Sequence, residues 1–327
     1  MSTLISDSEN YFCELKSIGA IRLQGEQADS YLQGQVSVNM ELLTQTNALL
    51  ACHCDFKGKM WNANYLVRHD HNIDFVVKHS ALPPCLAELK KYGVFSKVEL
   101  TDISDSISFL GLGGKQAKNN LLTIFPNLSD THRSVVSSEF GWVLTISNDT
   151  QIRYLCALDK HSITTKEITA ELVEVSESLW DAFDILDGVP SIFESTSNEY
   201  VPQMFNMQAL DAIDFNKGCY MGQEVVARTK YLGKNKRATY LLSAKHGFSN
   251  SSISASAGDL LEKAVGENWR RGGTIIHTSV YEGVLYALAV LSNDTQVGEI
   301  LRLKDFPEVS LTVGKLPYTI DEEVEKK

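Results

Sequence analysis

The chain has 327 residues, 43% of them hydrophobic, which is enough for two or three domains with buried cores and excludes disordered and fibrous proteins. The net charge of −11 excludes a general nucleic-acid coat, because such proteins bind through a basic surface, but it leaves room for a local basic patch. No apolar run reaches the ~18 residues of a membrane-spanning helix, so no membrane association is expected.

The N-terminal sequence MSTLISDSENYFCELK has neither the basic start nor the long apolar stretch of a signal peptide. Six cysteines in a chain of this length are too few for a disulfide scaffold. We therefore expect a cytoplasmic protein in which most cysteine thiols are reduced and buried. The six are Cys13, Cys52, Cys54, Cys85, Cys156 and Cys219.

Hydrophobic spacing predicts a series of helices and strands up to residue 190. The helix over residues 81–93 is the clearest, because prolines stand in its first turn and Gly93 can end it. In chain order the predicted elements are a helix over 26–36, a strand over 61–67, a helix over 81–93, strands over 107–112, 141–146 and 152–157, and a helix over 178–190.

From about residue 238 the pattern changes to short strand-like runs separated by turns that contain glycine and asparagine. This pattern is typical of a small antiparallel barrel or sandwich. The earlier part mixes helices and strands without strict alternation, which favours an α+β fold over a doubly wound α/β fold. Residues 249–258 are predicted to form a loop and residues 321–327 a solvated tail.

The segment DFNKGCYMGQEVVARTKYLGKNKR, residues 214–237, contains the strongest candidate for chemistry. Gly218 and Gly222 would leave the thiol of Cys219 uncovered. The run GQEVVAR predicts the first turns of a helix, whose positive end, together with the charge of Lys217, favours the thiolate. Cys219 is therefore a candidate reactive cysteine, and the alternative is a turn that contains a buried cysteine.

Two basic clusters stand out in an otherwise acidic chain. The first could receive carboxylates or phosphates, or it could be a solvated loop. It consists of Lys217, Arg228, Lys230, Lys234, Lys236 and Arg237. The second, Trp269-Arg270-Arg271, suits a flat anionic ligand or RNA, but it also fits an ordinary hairpin turn.

No metal site is predicted. Cys52, His53 and Cys54 lie together, but their spacing is wrong for zinc and no second pair of ligands follows. Lys57-Gly58-Lys59 is better explained as a tight turn into the next strand. The cysteines also lack the grouping of an iron–sulfur site, so Cys219 could supply at most one ligand to a cluster shared with a partner.

The run KGCYMGQEVVAR, residues 217–228, resembles the signature of the YgfZ folate-binding family, whose relatives are the aminomethyltransferases of glycine cleavage. The resemblance extends in order over nearly the whole chain and includes the helix that carries Trp180. The other matching segments are YLQGQVSVN (31–39), HCDFKGKMW (53–61), ELKKYGVFSKV (88–98), VPQMFNMQAL (201–210) and GENWRRGGT (266–274).

The resemblance implies an α+β fold of the aminomethyltransferase type. Residues 1–237 would form a folate-binding α+β region of two interleaved subdomains, one of them ferredoxin-like. Residues 238–320 would form a C-terminal antiparallel β-barrel, and residues 321–327 a flexible tail.

The resemblance also implies a function. The chain would be a folate-binding accessory protein that acts in tRNA modification, especially thiolation, and in the maintenance of iron–sulfur enzymes, with a link to the control of replication initiation. Its cofactor would be tetrahydrofolate or a derivative. Its partners would be iron–sulfur or tRNA-thiolation enzymes. Because the net charge is −11, direct binding of tRNA is expected to be weak or absent.

Individual residues are carried over from the family in the same way. Cys219 matches its essential cysteine, Lys217 the neighbouring lysine, and Trp180 a tryptophan that contacts folate. Three further residues of the cysteine motif are predicted to bind the cofactor. They are Gln223, Glu224 and Arg228.

The chain departs from the family pattern at two places. Ile18 stands where a second folate tryptophan is expected, which weakens the folate site on that side or moves the stacking elsewhere. Gly58–Leu66 has no carboxylate where the aminomethyltransferases carry an acidic pair, so glycine-cleavage activity is not expected. A folate-dependent methyl or aminomethyl transferase remains the alternative function, and a direct tRNA-binding module is a third.

Overall fold

The computed structural model describes residues 10–161, 165–233, 235–245 and 255–320. The chain forms two compact units, each assembled from separate stretches. Unit 1 contains the chain up to Ala51, Asn64–Trp180 and Lys217–Cys219. Unit 2 contains Cys52–Ala63, Asp181–Asn216 and the chain from Tyr220 onward. The predicted domain boundaries after residues 237 and 320 divide the chain by sequence pattern and stay a prediction.

The helices are short, and four single 3-10 turns accompany them. The α-helices are α1 (Ala28–Gln33), α2 (Leu82–Gly93), α3 (Lys115–Leu122), α4 (Thr165–Ile168), α5 (Glu177–Leu186) and α6 (Gln223–Tyr231). The 3-10 turns are Met40–Leu42, His79–Ala81, Glu194–Thr196 and Pro202–Phe205.

The strands account for most of the regular structure. They are β1 (Tyr11–Glu14), β2 (Ile18–Gln24), β3 (Leu49–Cys54), β4 (Met60–His69), β5 (Asn72–Lys78), β6 (Glu99–Asp102), β7 (Ile107–Gly113), β8 (Val135–Ser138), β9 (Gly141–Ser147), β10 (Ile152–Asp159), β11 (Val173–Glu174), β12 (Arg237–Lys245), β13 (Leu260–Val265), β14 (Asn268–Tyr281), β15 (Val284–Ser292), β16 (Ile300–Leu303) and β17 (Ser310–Val313).

Two open sheets form before residue 180. One has five strands in the order β3-β4-β5-β2-β6, and the other has six in the order β11-β1-β7-β10-β9-β8. Strand pairs in the six-stranded sheet are antiparallel except β1 with β11. This mixture of sheets and helices agrees with the predicted α+β class.

Strand β7 shows how the six-stranded sheet is covered on both faces. Leu110 and Leu112 alternate along β7 and pack with Leu121 of α3 and with Phe125 in one core cluster. Gly111 faces the other way, and a Cβ built there would lie 2.3 Å from Trp180 Cε3. The sheet therefore carries α3 on one face and the Trp180 ring on the other.

A closed barrel forms the last part of the described chain, with the strand order β12-β15-β14-β13-β16-β17. Its interior pairs large residues with small ones. Across β12 and β15, Tyr240 lies opposite Ala289 and Leu242 opposite Ala287, and all four are buried. Such alternation of large and small side chains suits the tapering interior of a small barrel. The predicted C-terminal antiparallel barrel is confirmed.

The elements predicted from hydrophobic spacing are confirmed with shifted ends. The helix predicted over 26–36 is shorter, since α1 covers only Ala28–Gln33. The four apolar residues whose helical spacing predicts it are all buried, namely Ala28, Tyr31, Leu32 and Val36. Helix α2 ends at Gly93 as predicted, and its prolines stand at its first positions. The predicted strands correspond to β4, β7, β9 and β10, and the predicted helix over 178–190 corresponds to α5.

Some predictions fall wholly or partly outside the described residues. The tail at 321–327 lies outside them, and so do residues 249–254 of the predicted loop. Within the described residues, no helix has the length and apolar character needed to cross a bilayer.

Candidate functional site

Cys219 is exposed, whereas the other five cysteines are buried. Burial raises the pKa of Cys54, Cys85 and Cys156, so these thiols stay protonated at neutral pH. A Cβ built at Gly218, the preceding residue, would meet nothing within 4 Å. The prediction that most cysteines are buried is confirmed, and the thiol that the sequence motif singles out is open to reagents and partners. Its predicted thiolate character stays a prediction.

Lys217 lies in the same unit as Cys219, and it is buried, with 7% of its surface exposed. Its Nζ atom donates hydrogen bonds to the backbone carbonyls of Gln33 at 2.8 Å, Val36 at 2.6 Å and Val38 at 2.8 Å. Gln33 ends α1, where unpaired carbonyls give the helix its negative end. The lysine therefore fixes the start of the cysteine motif to the segment that follows α1.

The prediction that a helix begins in GQEVVAR is confirmed, since α6 starts at Gln223. Gly222 precedes it with a φ of +83°. A Cβ at Gly222 would lie 2.4 Å from the Asp55 carbonyl oxygen and 2.8 Å from Gly58 Cα. Glycine is required here both by the left-handed backbone and by the close approach of the turn after β3.

That turn is the one predicted at Lys57-Gly58-Lys59. Gly58 has a φ of +71°, and the Asp55 carboxylate accepts hydrogen bonds from the backbone N–H groups of Lys57 and Lys59, both at 2.8 Å. Asp55 is thus committed to holding the turn. Among the described residues, no three His, Cys, Asp or Glu side chains are grouped so that they could hold a metal ion.

The predicted cofactor residues of α6 differ in exposure. Gln223 is half-buried at the start of the helix, while Glu224 and Arg228 are exposed in its first and last turns. Residues four apart in a helix lie on one face, so Glu224 and Arg228 present a carboxylate and a guanidinium on the same side. The helix is held from its other side by Val226, which is buried and whose carbonyl accepts a hydrogen bond from Gln203 Nε2 at 2.7 Å.

Trp180 is a core residue of unit 1, with 2% of its surface exposed. The guanidinium of Arg153 lies over its ring, 4.5 Å from the ring centroid, and Arg153 is itself 1% exposed. Gly111 of β7 approaches the ring closely. The folate role of Trp180 stays a prediction. For a pterin to stack on this ring, one of the groups packed against it, such as the Arg153 guanidinium, would have to move.

The predicted basic cluster around α6 is not one exposed surface. Lys217 is buried, and the ammonium of Lys230 lies 3.8 Å from the ring centroid of Phe215. Arg228, Lys236 and Arg237 are exposed. Lys234 lies outside the described residues.

Sequence reasoning missed a pair in unit 2 formed by a buried histidine and a half-buried aspartate. His277 of β14 has a fully buried side chain, and its Nε2 lies 3.3 Å from Asp181 Oδ1. The ring of Phe193 lies 5.3 Å from the imidazole ring. The pairing of β14 with β15 has a register shift between Ile275 and His277, and such a bulge changes the direction of the side chain that follows it. The sequence gives two weak signals of this pair: His277 stands in an otherwise apolar strand, and Asp181 directly follows Trp180.

Comparison with known proteins gives three kinds of match. Residues 235–306 match a family model described as the β-barrel domain of YgfZ. The chain is 38% identical over 315 residues to the tRNA-modifying protein YgfZ of Colwellia psychrerythraea, a match covering 95% of this chain and 94% of the relative. It is 39% identical over 310 residues to the tRNA-modifying protein YgfZ of Photobacterium profundum, covering 93% and 90%.

The third match is a solved structure. The glycine cleavage system aminomethyltransferase T from Bartonella henselae superposes with a TM-score of 0.71 at 13% sequence identity, covering 96% of this chain and 87% of that chain. This likeness confirms the predicted aminomethyltransferase-type fold. Given the identity to the relatives over nearly its whole length, the chain belongs to the YgfZ family.

Proposed function

We propose that this chain is a folate-binding accessory protein in tRNA modification, with Cys219 as its reactive group. The name of the relatives, tRNA-modifying protein, supports the pathway. In the finer form of the proposal, it acts on thiolation by maintaining iron–sulfur enzymes, and it has a link to the control of replication initiation. Its partners are then iron–sulfur or tRNA-thiolation enzymes.

The observation that carries the proposal is the contrast between an exposed thiol and its fixed neighbour. Cys219 is exposed beside the open Gly218, while Lys217 is anchored by three hydrogen bonds. A reactive cysteine needs both access and a defined position, because its partner is a macromolecule or a bound cofactor. A buried cysteine in a turn, the alternative raised by the sequence, does not describe this residue.

The proposed cofactor is tetrahydrofolate or a derivative, which supplies a one-carbon carrier when bound. The exposed guanidinium of Arg228 suits the anionic glutamate tail of a folate, since charged hydrogen bonds to carboxylates are strong. Glu224 and Gln223 can pair with the polar edge of a pterin. Trp180 stays in the proposal as a ring that binding must uncover, because Arg153 lies over it.

The role of Cys219 is tested in a bacterium that lacks its own YgfZ relative. We expect wild-type protein to restore the thiolated nucleosides of bulk tRNA and Cys219→Ala to restore none, with an unchanged thermal melt because the side chain is exposed. Nucleosides are measured by mass spectrometry. The matched control is Cys156→Ala, which removes a buried thiol from unit 1 and should still complement. Full activity of Cys219→Ala would reject the thiol mechanism.

The folate site is tested by titrating tetrahydrofolate against tryptophan fluorescence. Wild-type protein should show saturable quenching, and Arg228→Ala should bind about tenfold more weakly, because one charged contact is lost. Trp180→Phe should bind but lose most of the quenching, and this conservative change preserves most of the core volume. Unchanged quenching in Trp180→Phe would place the pterin away from this ring.

The alternative function, a folate-dependent methyl or aminomethyl transferase, has the fold in its favour. Turnover of methylene- or methyl-tetrahydrofolate by the purified protein with a nucleophilic acceptor would support it. The turn and strand at Gly58–Leu66 contain no carboxylate to handle a proton on the folate nitrogen, which is why it ranks second.

A further inference from the structure

We propose that the tip of the β13–β14 hairpin binds a single-stranded region of tRNA, with Trp269 stacking on a base and Arg270 and Arg271 contacting phosphates. This inference rests on the proposed role in tRNA modification and adds a surface that carries the substrate. It uses residues of unit 2 only and is independent of Cys219.

The hairpin tip is exposed on both of its faces. Every residue from Ala264 to Arg271 is exposed, although the tip is paired, with Ala264 opposite Trp269 and Lys263 opposite Arg270. The register shift in this pair of strands lies further from the tip, between Leu261 and Glu262. Side chains alternate along a strand, so Trp269 and Arg271 share one face and Arg270 lies on the other. The barrel core does not need these side chains, because it is closed by residues nearer the middle of the strands, such as Leu261 and Ile275.

One face of the tip is organised around Trp269. The guanidinium of Arg302 lies 4.0 Å from the centroid of the indole ring and also binds Glu262, through Nε at 2.9 Å and Nη2 at 2.8 Å. Glu262 lies opposite Arg302 on one side and opposite Arg271 on the other. The indole is thus held in place from one face, and it still has 38% of its surface exposed.

An indole fixed on one side and open on the other is a platform for a flat ring. Aromatic side chains that stack on unpaired bases are a common contact of proteins with single-stranded RNA. Holding the ring in advance lowers the ordering cost of binding. The barrel core does not use this ring, so the indole is available to a ligand at the tip.

The charge of the hairpin differs from that of the whole chain. The β13–β14 hairpin and β16 together carry four basic side chains, Lys263, Arg270, Arg271 and Arg302, and two acidic ones, Glu262 and Glu267, in a chain with a net charge of −11. Glu262 is paired with Arg302, and Lys263 is paired with Glu299 at 2.7 Å. Arg270 and Arg271 are exposed, and Arg271 Nη2 donates a hydrogen bond to Thr274 Oγ1 at 3.3 Å.

Each of these two guanidiniums, on opposite faces of a narrow ribbon, can contact a phosphate of a strand that crosses the tip, and phosphate contacts provide most of the affinity for nucleic acid. Few contacts in an acidic protein give modest binding that salt weakens. This agrees with the expectation of weak direct tRNA binding from net charge alone, but it localises that binding to one hairpin.

The test is a fluorescence anisotropy titration of 3′-fluorescein-labelled bulk bacterial tRNA at 50 and 200 mM KCl. The variants are Arg270→Ala/Arg271→Ala, Trp269→Ala and Trp269→Phe, each checked for an unchanged thermal melt. The matched control is Lys90→Ala/Lys91→Ala, which removes two exposed positive charges from the end of α2 in unit 1.

We expect the double arginine variant to bind about tenfold more weakly at 50 mM KCl and to lose about 1.4 from the slope of log affinity against log salt, since each phosphate contact contributes about 0.7. Trp269→Ala should bind tRNA at least about fivefold more weakly, with the salt slope unchanged. Trp269→Phe should keep most of the wild-type affinity, because stacking depends on a ring and not on charge. The lysine control should stay within about twofold of wild type.

Wild-type affinity in the double arginine variant, or equal losses in the lysine control, would overturn the proposal. A polyglutamate competitor that displaces tRNA as well as polyuridine does would instead identify a surface for acidic proteins and would also overturn it. Cys219→Ala is expected to bind tRNA like wild type. Loss of tRNA thiolation in cells that carry Cys219→Ala therefore tests the proposed function. Loss of tRNA binding by the double arginine variant tests this inference.

Discussion

The ammonium group of Lys217 donates hydrogen bonds to three backbone carbonyls, of Gln33, Val36 and Val38, at the end of α1 and just after it. The sequence motif predicted a charge that acts on Cys219 next to it. The contacts show a second task, which is to fix the backbone of the motif to a segment about 180 residues away in the chain. Spacing along the motif could not reveal this, because the partners are main-chain oxygens and carry no sequence signal.

Lys217→Met is expected to lower the free energy of unfolding by about 3 kcal/mol, because three carbonyls lose a charged donor while the apolar stem is kept. Urea denaturation followed by circular dichroism measures this. The control is Lys236→Met, at an exposed lysine, which should change stability by less than about 0.5 kcal/mol. If Lys217→Met is as stable as wild type but inactive, the lysine acts on the thiol and not as an anchor.

At the scale of elements, the regular spacing of apolar residues predicts which helices and strands form, but it does not predict which elements pack together. Helix α5 and strand β7 were both predicted from their apolar residues, and both exist. Their contact was not predicted, since it depends on the absence of a side chain at Gly111, which admits the ring of Trp180. The same contact explains why a tryptophan carried over as a folate residue is also part of the core.

Gly111→Ala should destabilise the fold by about 2 kcal/mol, since a new Cβ would lie 2.3 Å from Trp180 Cε3 and 3.0 Å from Cys13 Sγ. Thermal and urea denaturation measure the change, and Trp180 fluorescence should shift with it. Gly218→Ala is the matched control, because a Cβ there meets nothing within 4 Å. Equal stability of the two variants would mean that β7 and α5 are packed more loosely than these distances indicate.

At the scale of the whole molecule, the change of pattern near residue 238 predicted a small antiparallel barrel or sandwich, because alternation and turn residues are local signals. The family resemblance chose the barrel, and the structure confirms it. The assignment of Cys52–Ala63 and Lys217–Cys219 to different units from their neighbours was not foreseen. Such interleaving is decided by long-range packing, which leaves no periodic mark in one sequence. The hairpin tip at Trp269 was noted as a motif, but its exposure on both faces needed the structure.

The pH dependence of stability is also a property of the whole chain. His53 should make a large contribution to it between pH 7.5 and pH 5. Complete burial lowers the pKa of His53 from the usual 6.5 to about 3. The folded state therefore keeps the imidazole neutral, while the unfolded chain binds a proton below pH 6.5. Stability is full above that pH and falls as the pH decreases, because protons favour the unfolded state.

Between pH 7.5 and pH 5, His53 should account for a loss of about 2 kcal/mol in the free energy of unfolding. The loss is about 1.36 kcal/mol for each pH unit below the unfolded-state pKa of 6.5, and pH 5 lies 1.5 units below it. Urea titrations of wild type and His53→Gln at both pH values measure it. The variant starts from its own stability at pH 7.5, so only the difference between the two pH values is compared. His53→Gln should lose about 2 kcal/mol less than wild type, since glutamine does not titrate. An identical loss in both proteins would mean that other groups carry the acid sensitivity and that His53 accepts a proton within the fold.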